Sequence, residues 1–354
     1  MSLPSLDQPF LTGFVPTPAG KVPRVYSDLS LADRIGGYKA RWAIGRMGYT
    51  VEPGLYALGN PSRSGSVFVT ANYKMSFDSL RRSMAGRSGW ILVLDTNGIN
   101  VWCAAGKGSF GTAEVVRQIE MSGLKEIVTH RELILPQLAA PGVSADLVKK
   151  LSGFKVTYGP ICAKDLPAFL DAGMSATPEM RTKTFSFWER FVLIPVELVK
   201  ALQSAVVLLL SLFLLSGILG RGGFWSNGLE HAMTFIPAVL LAVLGGAVLT
   251  PMLLPRLPGR AFSIKGIFPG VGCAALLLIL RLPDLAGSKG VQTETAAWMI
   301  LTVALSSYLS MNFTGASSYT SLSGVRKEMR WALPFQVIGG VFGFGLWIYS
   351  LLAF

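Results

Sequence analysis

The feature that most constrains this chain is a set of five long apolar stretches in its second half: residues 201–219, 232–254, 262–280, 295–313 and 333–352. Each is long enough for a helix to cross about 30 Å of hydrocarbon. A single segment can span only as a helix, because every backbone polar group must then be satisfied internally. The third stretch is the weakest, since Gly266, Pro269, Gly270 and Gly272 interrupt it, and a re-entrant segment there would change the count. The central parts of these stretches hold no Asp, Glu, Lys or Arg, whereas transport pathways usually keep such groups. The second half therefore reads as an anchor, with Ser306, Ser307, Ser310 and Asn312 as interhelical hydrogen-bonding positions.

Charge divides the chain at the same place. The first 180 residues hold 19 of the 32 basic and 14 of the 20 acidic side chains, the proportions of a globular domain. On the short flanks of the spans, ten Lys and Arg (Arg181, Lys183, Arg190, Lys200; Arg256, Arg260, Lys265; Arg326, Lys327, Arg330) face three (Arg221, Arg281, Lys289). Basic residues are retained inside, and residues 1–20 lack the apolar core of a signal peptide. Together these predict a multi-pass protein of the cytoplasmic (inner) membrane with its N-terminal domain in the cytoplasm. The net charge of +12 is then a matter of topology and the lipid bilayer, and no basic run in the first half argues for nucleic acid.

Within that half, residues 1–60 are rich in Gly and Pro and read as an irregular segment packing on an α/β domain, ending in a turn at Gly59-Asn60-Pro61. Residues 61–175 alternate short apolar strands (67–70, 90–95, 127–129, 154–158) with helical periods (76–85, 111–123, 145–151, 165–172). Residues 176–199 read as a linker, with Trp188 and Phe191 at the membrane interface. Strands without polar alternation predict a parallel α/β sheet covered on both faces, Rossmann-like in kind. Ligands of such sheets sit outside the carboxyl ends of the strands. That directs attention to Thr70 and Asn72, to residues 95–107, to His130, and to Tyr158-Gly159-Pro160.

The segment after the second strand is the informative one. Gly106-Lys107-Gly108-Ser109-Phe110-Gly111 satisfies G-x-G-x-x-G before a helix, with Glu132 further on as a candidate ribose ligand. That outline would make the chain a membrane-bound NAD(P)-dependent oxidoreductase. Yet ten residues separate Asp95 from Gly106, where the first glycine should close the turn directly. The intervening Val101, Trp102, Cys103, Ala104 and Ala105 are small or apolar, and Asn100 is placed to cap a short helix there. Cys103, Cys162 and Cys273 form no metal-ligand pattern with one another, and a lone cysteine is commonly a small buried hydrophobe.

Asn100-Val101-Trp102-Cys103-Ala104-Ala105-Gly106-Lys107 resembles the signature of the corrinoid protein family of anaerobic mercury methylation (HgcA). The likeness continues through Val69-Thr70-Ala71-Asn72-Tyr73 with Ser76-Phe77-Asp78, Leu135-Pro136-Gln137-Leu138, Tyr158-Gly159-Pro160 and the membrane half. The first half is also similar to the corrinoid domain of the corrinoid iron–sulfur protein of acetyl-CoA synthesis, which lacks the cysteine and the anchor. The resemblance implies an α/β Rossmann-like corrinoid-binding domain followed by an all-α transmembrane domain of about five helices. It implies a cobalamin-type corrinoid whose cobalt takes Cys103 as lower axial ligand, and methyl transfer to Hg(II) giving methylmercury. A soft thiolate donates strongly, which favours departure of a methyl group with its bonding electrons toward a soft electrophile. The cobalt, nearby Lys107 and a helix N-terminus are expected to favour that thiolate. Trp102, Ala104 and Ala105 are expected to pack on the macrocycle, and Gly106, Gly108 and Gly111 to let backbone approach it. Thr70, Asn72, Tyr158, Gly159 and Pro160 are expected to meet its amides. With no iron–sulfur cluster in this chain, the implied partners are a ferredoxin-like [4Fe–4S] protein, as reductant and Hg(II) donor, and a methyl-donor protein of the methyltetrahydrofolate pathway. A non-mercury corrinoid methyl carrier and a ligand-binding membrane receptor are the remaining alternatives.

Overall fold

The computed structural model describes residues 2–286, 288–316 and 322–354. The chain divides into two compact units, residues 1–40 with 44–184, and residues 41–43 with 185–354.

Among the described residues, the first unit holds a seven-stranded sheet in the order β1-β2-β3-β5-β4-β6-β7. Its central strands, β3 (Gly54–Leu58), β4 (Val67–Ala71) and β5 (Gly89–Leu94), are buried at every residue. Side chains of a strand alternate between faces, and here both faces are covered. Leu55, Ala57, Val67, Val69, Leu92 and Leu94 join Val115 and Ile119 of α4 (Thr112–Met121) and Val148 of α6 (Ala145–Ser152) on one side. Tyr56, Leu58, Phe68, Ile91 and Val93 join Phe77 and Leu80 of α2 (Lys74–Ser83) and Phe169 of α7 (Leu166–Asp171) on the other. That is why the strands show no polar alternation.

The sheet is mixed rather than wholly parallel. β4 runs parallel to β5 and to β6 (Glu132–Leu135), and β6 parallel to β7 (Lys155–Tyr158). β3 pairs antiparallel with β5, and β2 (Gly20–Val25) pairs parallel with β3 and antiparallel with β1 (Phe14–Thr17). The first sixty residues, expected to be irregular, thus supply three strands and helix α1 (Leu31–Arg41). The strand expected at 127–129 is displaced: residues Leu124–Ile127 form α5, and the strand begins at Glu132. His130 therefore precedes its strand, and the segment after that strand is Pro136-Gln137.

A buried ionic cluster fastens α1 to α2. Lys74 Nζ lies 2.7 Å from Asp33 and 2.8 Å from Asp78, and Arg81 lies 2.8 Å from each of the same carboxylates. Arg81 also donates to the carbonyls of Tyr26 and Asp28, both at 3.1 Å. Two cations matched by two anions leave no net charge in the interior, the condition under which buried ions are tolerated.

In the second unit, Ser186 and Glu189 form a capping box that starts α8 (Phe187–Phe191), and α9 (Ile194–Leu219) follows at once. Helix therefore replaces much of the second half of the expected linker. The chain continues through α10 (Phe224–Val243), a π-helical turn, α11 (Thr250–Leu253), α12 (Phe262–Leu285), α13 (Lys289–Asn312) and α14 (Leu322–Ala353). Residues 187–219, 224–253, 262–285 and 323–353 form four helices long and apolar enough to cross a membrane. The glycine-broken third stretch is among them: Gly266 and Gly270 sit where a Cβ would come within 2.9 Å of Ser306 on α13. The hydroxyls of Ser306, Ser307 and Ser310 donate to the carbonyls of Gly266, Ser263 and Phe262 at 2.8, 2.9 and 2.7 Å. Asn312 is exposed. The stretch that falls short is instead α13, whose Ser, Thr and Glu side chains lower its hydropathy and are buried against its neighbours.

The cluster around Lys74 makes a pH prediction. Burial alone pushes the Asp33 carboxyl up, but hydrogen bonds from Lys74 and Arg81 outweigh it and hold it well below the usual carboxylate range. A native pKa below the unfolded value of about 3.9 contributes stability that is complete above that pH and lost as pH falls beneath it. Asp33→Asn should cost about 3–5 kcal/mol at neutral pH. The gap from the parent in chemical denaturation should narrow as pH drops below about 4; a gap independent of pH would contradict the assignment.

Candidate cofactor site

Because β4, β5, β6 and β7 are mutually parallel, their carboxyl ends share one edge of the sheet. There the chain continues as Asn72, as Asp95 to Asn100, as Pro136-Gln137 and as Gly159-Pro160.

Asn72 organises this edge. Its buried Oδ1 accepts hydrogen bonds from Thr96 N at 3.1 Å, Thr96 Oγ1 at 2.8 Å and Gly98 N at 3.0 Å, and its Nδ2 donates to Asp95 Oδ1 at 3.4 Å. The turn so held places Asn97 and Gly98 in the left-handed region, at φ 55° and 70°. The Thr96 hydroxyl also lies 2.7 Å from Ile99 O, so its single proton serves one of these two oxygens at a time. The next residue, Asn100, caps α3 (Val101–Lys107), its Oδ1 accepting from Cys103 N at 2.9 Å. Gly108, at φ 87°, ends the helix, a conformation that favours glycine.

Helix α3 has two unlike faces. Ala104 and Ala105 are buried in the core with Phe110 and Val143, so they do not face a ligand as expected. A Cβ on Gly142 would stand 3.0 Å from the Cα of Ala105, which shows how closely the helix is seated. Trp102 and Cys103 are half-buried, and Gly106 and Lys107 are exposed. Residues 102 and 106, and 103 and 107, are four apart and so share the outer face. A Cβ at Gly106 would meet nothing within 4 Å, leaving a bare patch one turn beyond Cys103.

Burial pushes the Cys103 thiol up, while Lys107, the Asn100 side chain and Arg46 pull it down; the net shift is upward. Lys107 thus acts in the expected direction without outweighing burial. Arg46, which no motif in the sequence marks, lies in a short 3-10 turn, Arg46–Gly48, with its guanidinium 5.2 Å from the Tyr73 ring centroid. No group of three or more His, Cys, Asp or Glu able to hold a metal ion occurs among the described residues. A single sulfur beside a bare helix face suits a metal whose other ligands arrive with it in a flat macrocycle. The residues present fit a corrinoid in this respect.

The other expected contacts are engaged by the fold. Thr70 is buried within β4. Tyr158 Oη donates to Val143 O at 2.5 Å, Gly159 N to Leu135 O at 2.8 Å, and Gln137 N to Pro160 O at 3.4 Å. Cys162 is half-buried and Cys273 buried, each as a free thiol. The dinucleotide outline does not assemble. Gly106 lies inside a helix, Gly108 caps it, and Gly111 precedes α4 where a Cβ would stand 2.8 Å from Gly108 O. Glu132 begins β6, at the opposite edge of the sheet, 3.8 Å from Lys155 Nζ.

Comparison with known proteins bears on this same unit. The family model described as CO dehydrogenase/acetyl-CoA synthase delta subunit matches residues 43–170. The chain is 33% identical over 123 residues to the acetyl-CoA decarbonylase/synthase complex subunit gamma of Archaeoglobus fulgidus. It is 36% identical over 124 residues to that of Methanopyrus kandleri. Each alignment covers 34% of this chain and 26% of the relative, so the chain matches about a quarter of those proteins' length.

The Asn72 clamp supplies a test. Asn72→Ala removes the acceptor for the N–H groups of Thr96 and Gly98, at a cost of about 1–3 kcal/mol for each buried donor left unmet. Amide hydrogen exchange should accelerate across residues 95–107 beyond any change at α6. Protection of 95–107 equal to that of the parent would show that the loop is held otherwise.

Proposed function

We propose that the first unit binds a cobalt corrinoid against the outer face of α3 with Cys103 Sγ as axial ligand. The whole chain is then a membrane-anchored methyltransferase passing a methyl group to Hg(II). The observation that carries this reading is the solitary Cys103 sulfur on a helix capped at both ends, seated on the carboxyl edge of the sheet beside the bare Gly106. When bound, the corrinoid would supply a cobalt-held methyl group activated for transfer.

The chain's own residues hold and orient that group. Asn100 fixes the first turn of α3 and with it the direction of Cys103. Lys107 and Arg46 offset the negative charge that the sulfur acquires once its proton is lost. Trp102 shares the outer face with Gly106 and shields one flank from water. The acetyl-CoA decarbonylase/synthase relatives support the coarser reading, a corrinoid methyl carrier working with other proteins. The partners proposed are a ferredoxin-like [4Fe–4S] reductant and a methyl-donor protein. The specific choice of Hg(II) rests on the resemblance around Cys103, because a thiolate ligand favours delivery to a soft electrophile.

Full-length protein reconstituted with hydroxocobalamin should lose its thiolate-ligated cobalt spectrum and its methylmercury formation on Cys103→Ala, with its thermal unfolding unchanged. Full activity with an unaltered spectrum would sink the ligation. Gly106→Leu should lower corrinoid occupancy, whereas Ala104→Leu should destabilise the unit by about 1–3 kcal/mol through overpacking. Nicotinamide cofactors should give no thermal shift, since stabilisation by linkage requires binding.

We also propose that α13 crosses together with the four more apolar helices, which leaves the first unit in the cytoplasm. A reporter active only in the cytoplasm should work when fused near residue 185 or 258 and fail near 226 or after Phe354. Activity after Phe354 would mean that α13 does not cross.

A further inference from the structure

Helix α1 turns its apolar side to the solvent. At 3.6 residues per turn, Leu31, Ile35 and Tyr38 fall within about 60° of arc, and Trp42 continues the spacing in the turn that follows the helix. All four are exposed, by 73, 44, 68 and 48%. Asp33 and Ala40 project from the opposite side and are the buried residues of the helix. A surface helix ordinarily buries its apolar stripe and turns its charges outward; this one does the reverse.

The inner face is fixed and cannot be exchanged for the outer one. Asp33 bonds to Lys74 and Arg81 at 2.7 and 2.8 Å, and Tyr49 Oη donates to Asp33 O at 3.0 Å. A Cβ on Gly36 would stand 2.6 Å from the Tyr49 ring. Rolling the stripe inward would pull Asp33 out of the ionic cluster and leave its cations buried and unmatched, a costly state. The stripe is therefore left for something outside the unit.

Charge decides between a protein and a lipid surface. Between Asp28 and Glu52 the chain holds four bases, Arg34, Lys39, Arg41 and Arg46, and one acid, Asp33. The acid is buried and paired, whereas Arg34 and Lys39 are exposed, one on either side of the stripe. A second copy of this face would set cation against cation. An apolar stripe that ends in Tyr and Trp, with cations along both borders, is instead the pattern of a helix lying in the interface of an anionic bilayer. The first unit ends at residue 184 and the first membrane-length helix begins at 187. So short a tether makes docking an intramolecular event, for which a stripe of four side chains suffices.

We propose that α1 lies on the anionic surface of the membrane that holds the second unit, with Leu31, Ile35, Tyr38 and Trp42 among the upper acyl carbons and Arg34 and Lys39 at the lipid phosphates. The proposal rests on the reading of the second unit as a membrane domain, and its test separates the two.

The full chain is placed in nanodiscs of equal parts phosphatidylcholine and phosphatidylglycerol whose acyl chains carry bromine near the headgroup. The fluorescence of Trp42 is taken as the difference between the parent and Trp42→Phe. Bromolipid should quench most of that signal, and aqueous acrylamide little of it. Leu31→Asp with Ile35→Asp, both at exposed positions, should reverse this pattern without shifting thermal unfolding. Arg34→Gln with Lys39→Gln should lower the bromolipid quenching of Trp42 to the level seen in phosphatidylcholine alone. The signal left in Trp42→Phe includes Trp225, 70% exposed on α10, and reports on the second unit. Quenching of that signal with none at Trp42 would overturn the docking alone; no quenching of either would overturn the membrane reading with it. Trp42 shielded from acrylamide yet untouched by bromolipid would mean a protein partner and overturn the proposal, as would lipid quenching of Trp42 that survives the paired Asp substitutions.

Discussion

One buried amide sets the geometry on which the candidate site depends. Asn72 stands at the end of β4 and accepts hydrogen bonds from two backbone N–H groups of the loop that leaves β5. Because a carboxamide oxygen can take several donors, it substitutes for the next rung of the sheet just where the strands stop pairing. The loop is thereby bent through two left-handed residues and delivers Asn100 to cap α3. The sulfur of Cys103 is positioned by a side chain that never touches it. The sequence pattern assigns Asn72 to the carboxyl edge of the sheet, and there its amide is engaged by the loop, by backbone N–H groups and by the Asp95 side chain.

Two kinds of burial coexist in the first unit. The faces of the sheet are closed by apolar packing, whereas α1 joins α2 through Asp33, Lys74, Asp78 and Arg81, four ions almost wholly withdrawn from water. Apolar contacts tolerate sliding, but the ion cluster has one arrangement that satisfies every partner. It fixes α1 in register, and with it the chain that leads to the turn carrying Arg46.

What can be read from the sequence is what local chemistry decides. The Asn100 cap, the run Gly89–Leu94 and the long apolar segments announce themselves because a few neighbouring residues suffice to form them. What cannot be read depends on distant partners. Gly54–Leu58 is too short and too mixed to identify alone, and is a central strand only because β5 and β2 lie beside it. Ala104 and Ala105 carry no mark of which way they face; Gly142 and Phe110 settle that. Arg46 bears on Cys103 only electrostatically, through the fold, and no spacing rule links them. The α13 segment misleads for a related reason, since its polar side chains are matched by carbonyls on another helix.

That match has a consequence for how the protein is made. A segment leaving the ribosome partitions into lipid according to its own apolarity, and α13 by itself is less apolar than its neighbours, its hydroxyls having only the carbonyls of their own preceding turn to bond. The carbonyls it needs are on α12, exposed by Gly266 and by the first turn around Phe262 and Ser263. On the proposed topology the two segments would enter the bilayer as a hairpin, the earlier helix supplying carbonyls to the later one. The glycines that look like a flaw in α12 would then be what lets α13 lie close enough to reach those carbonyls.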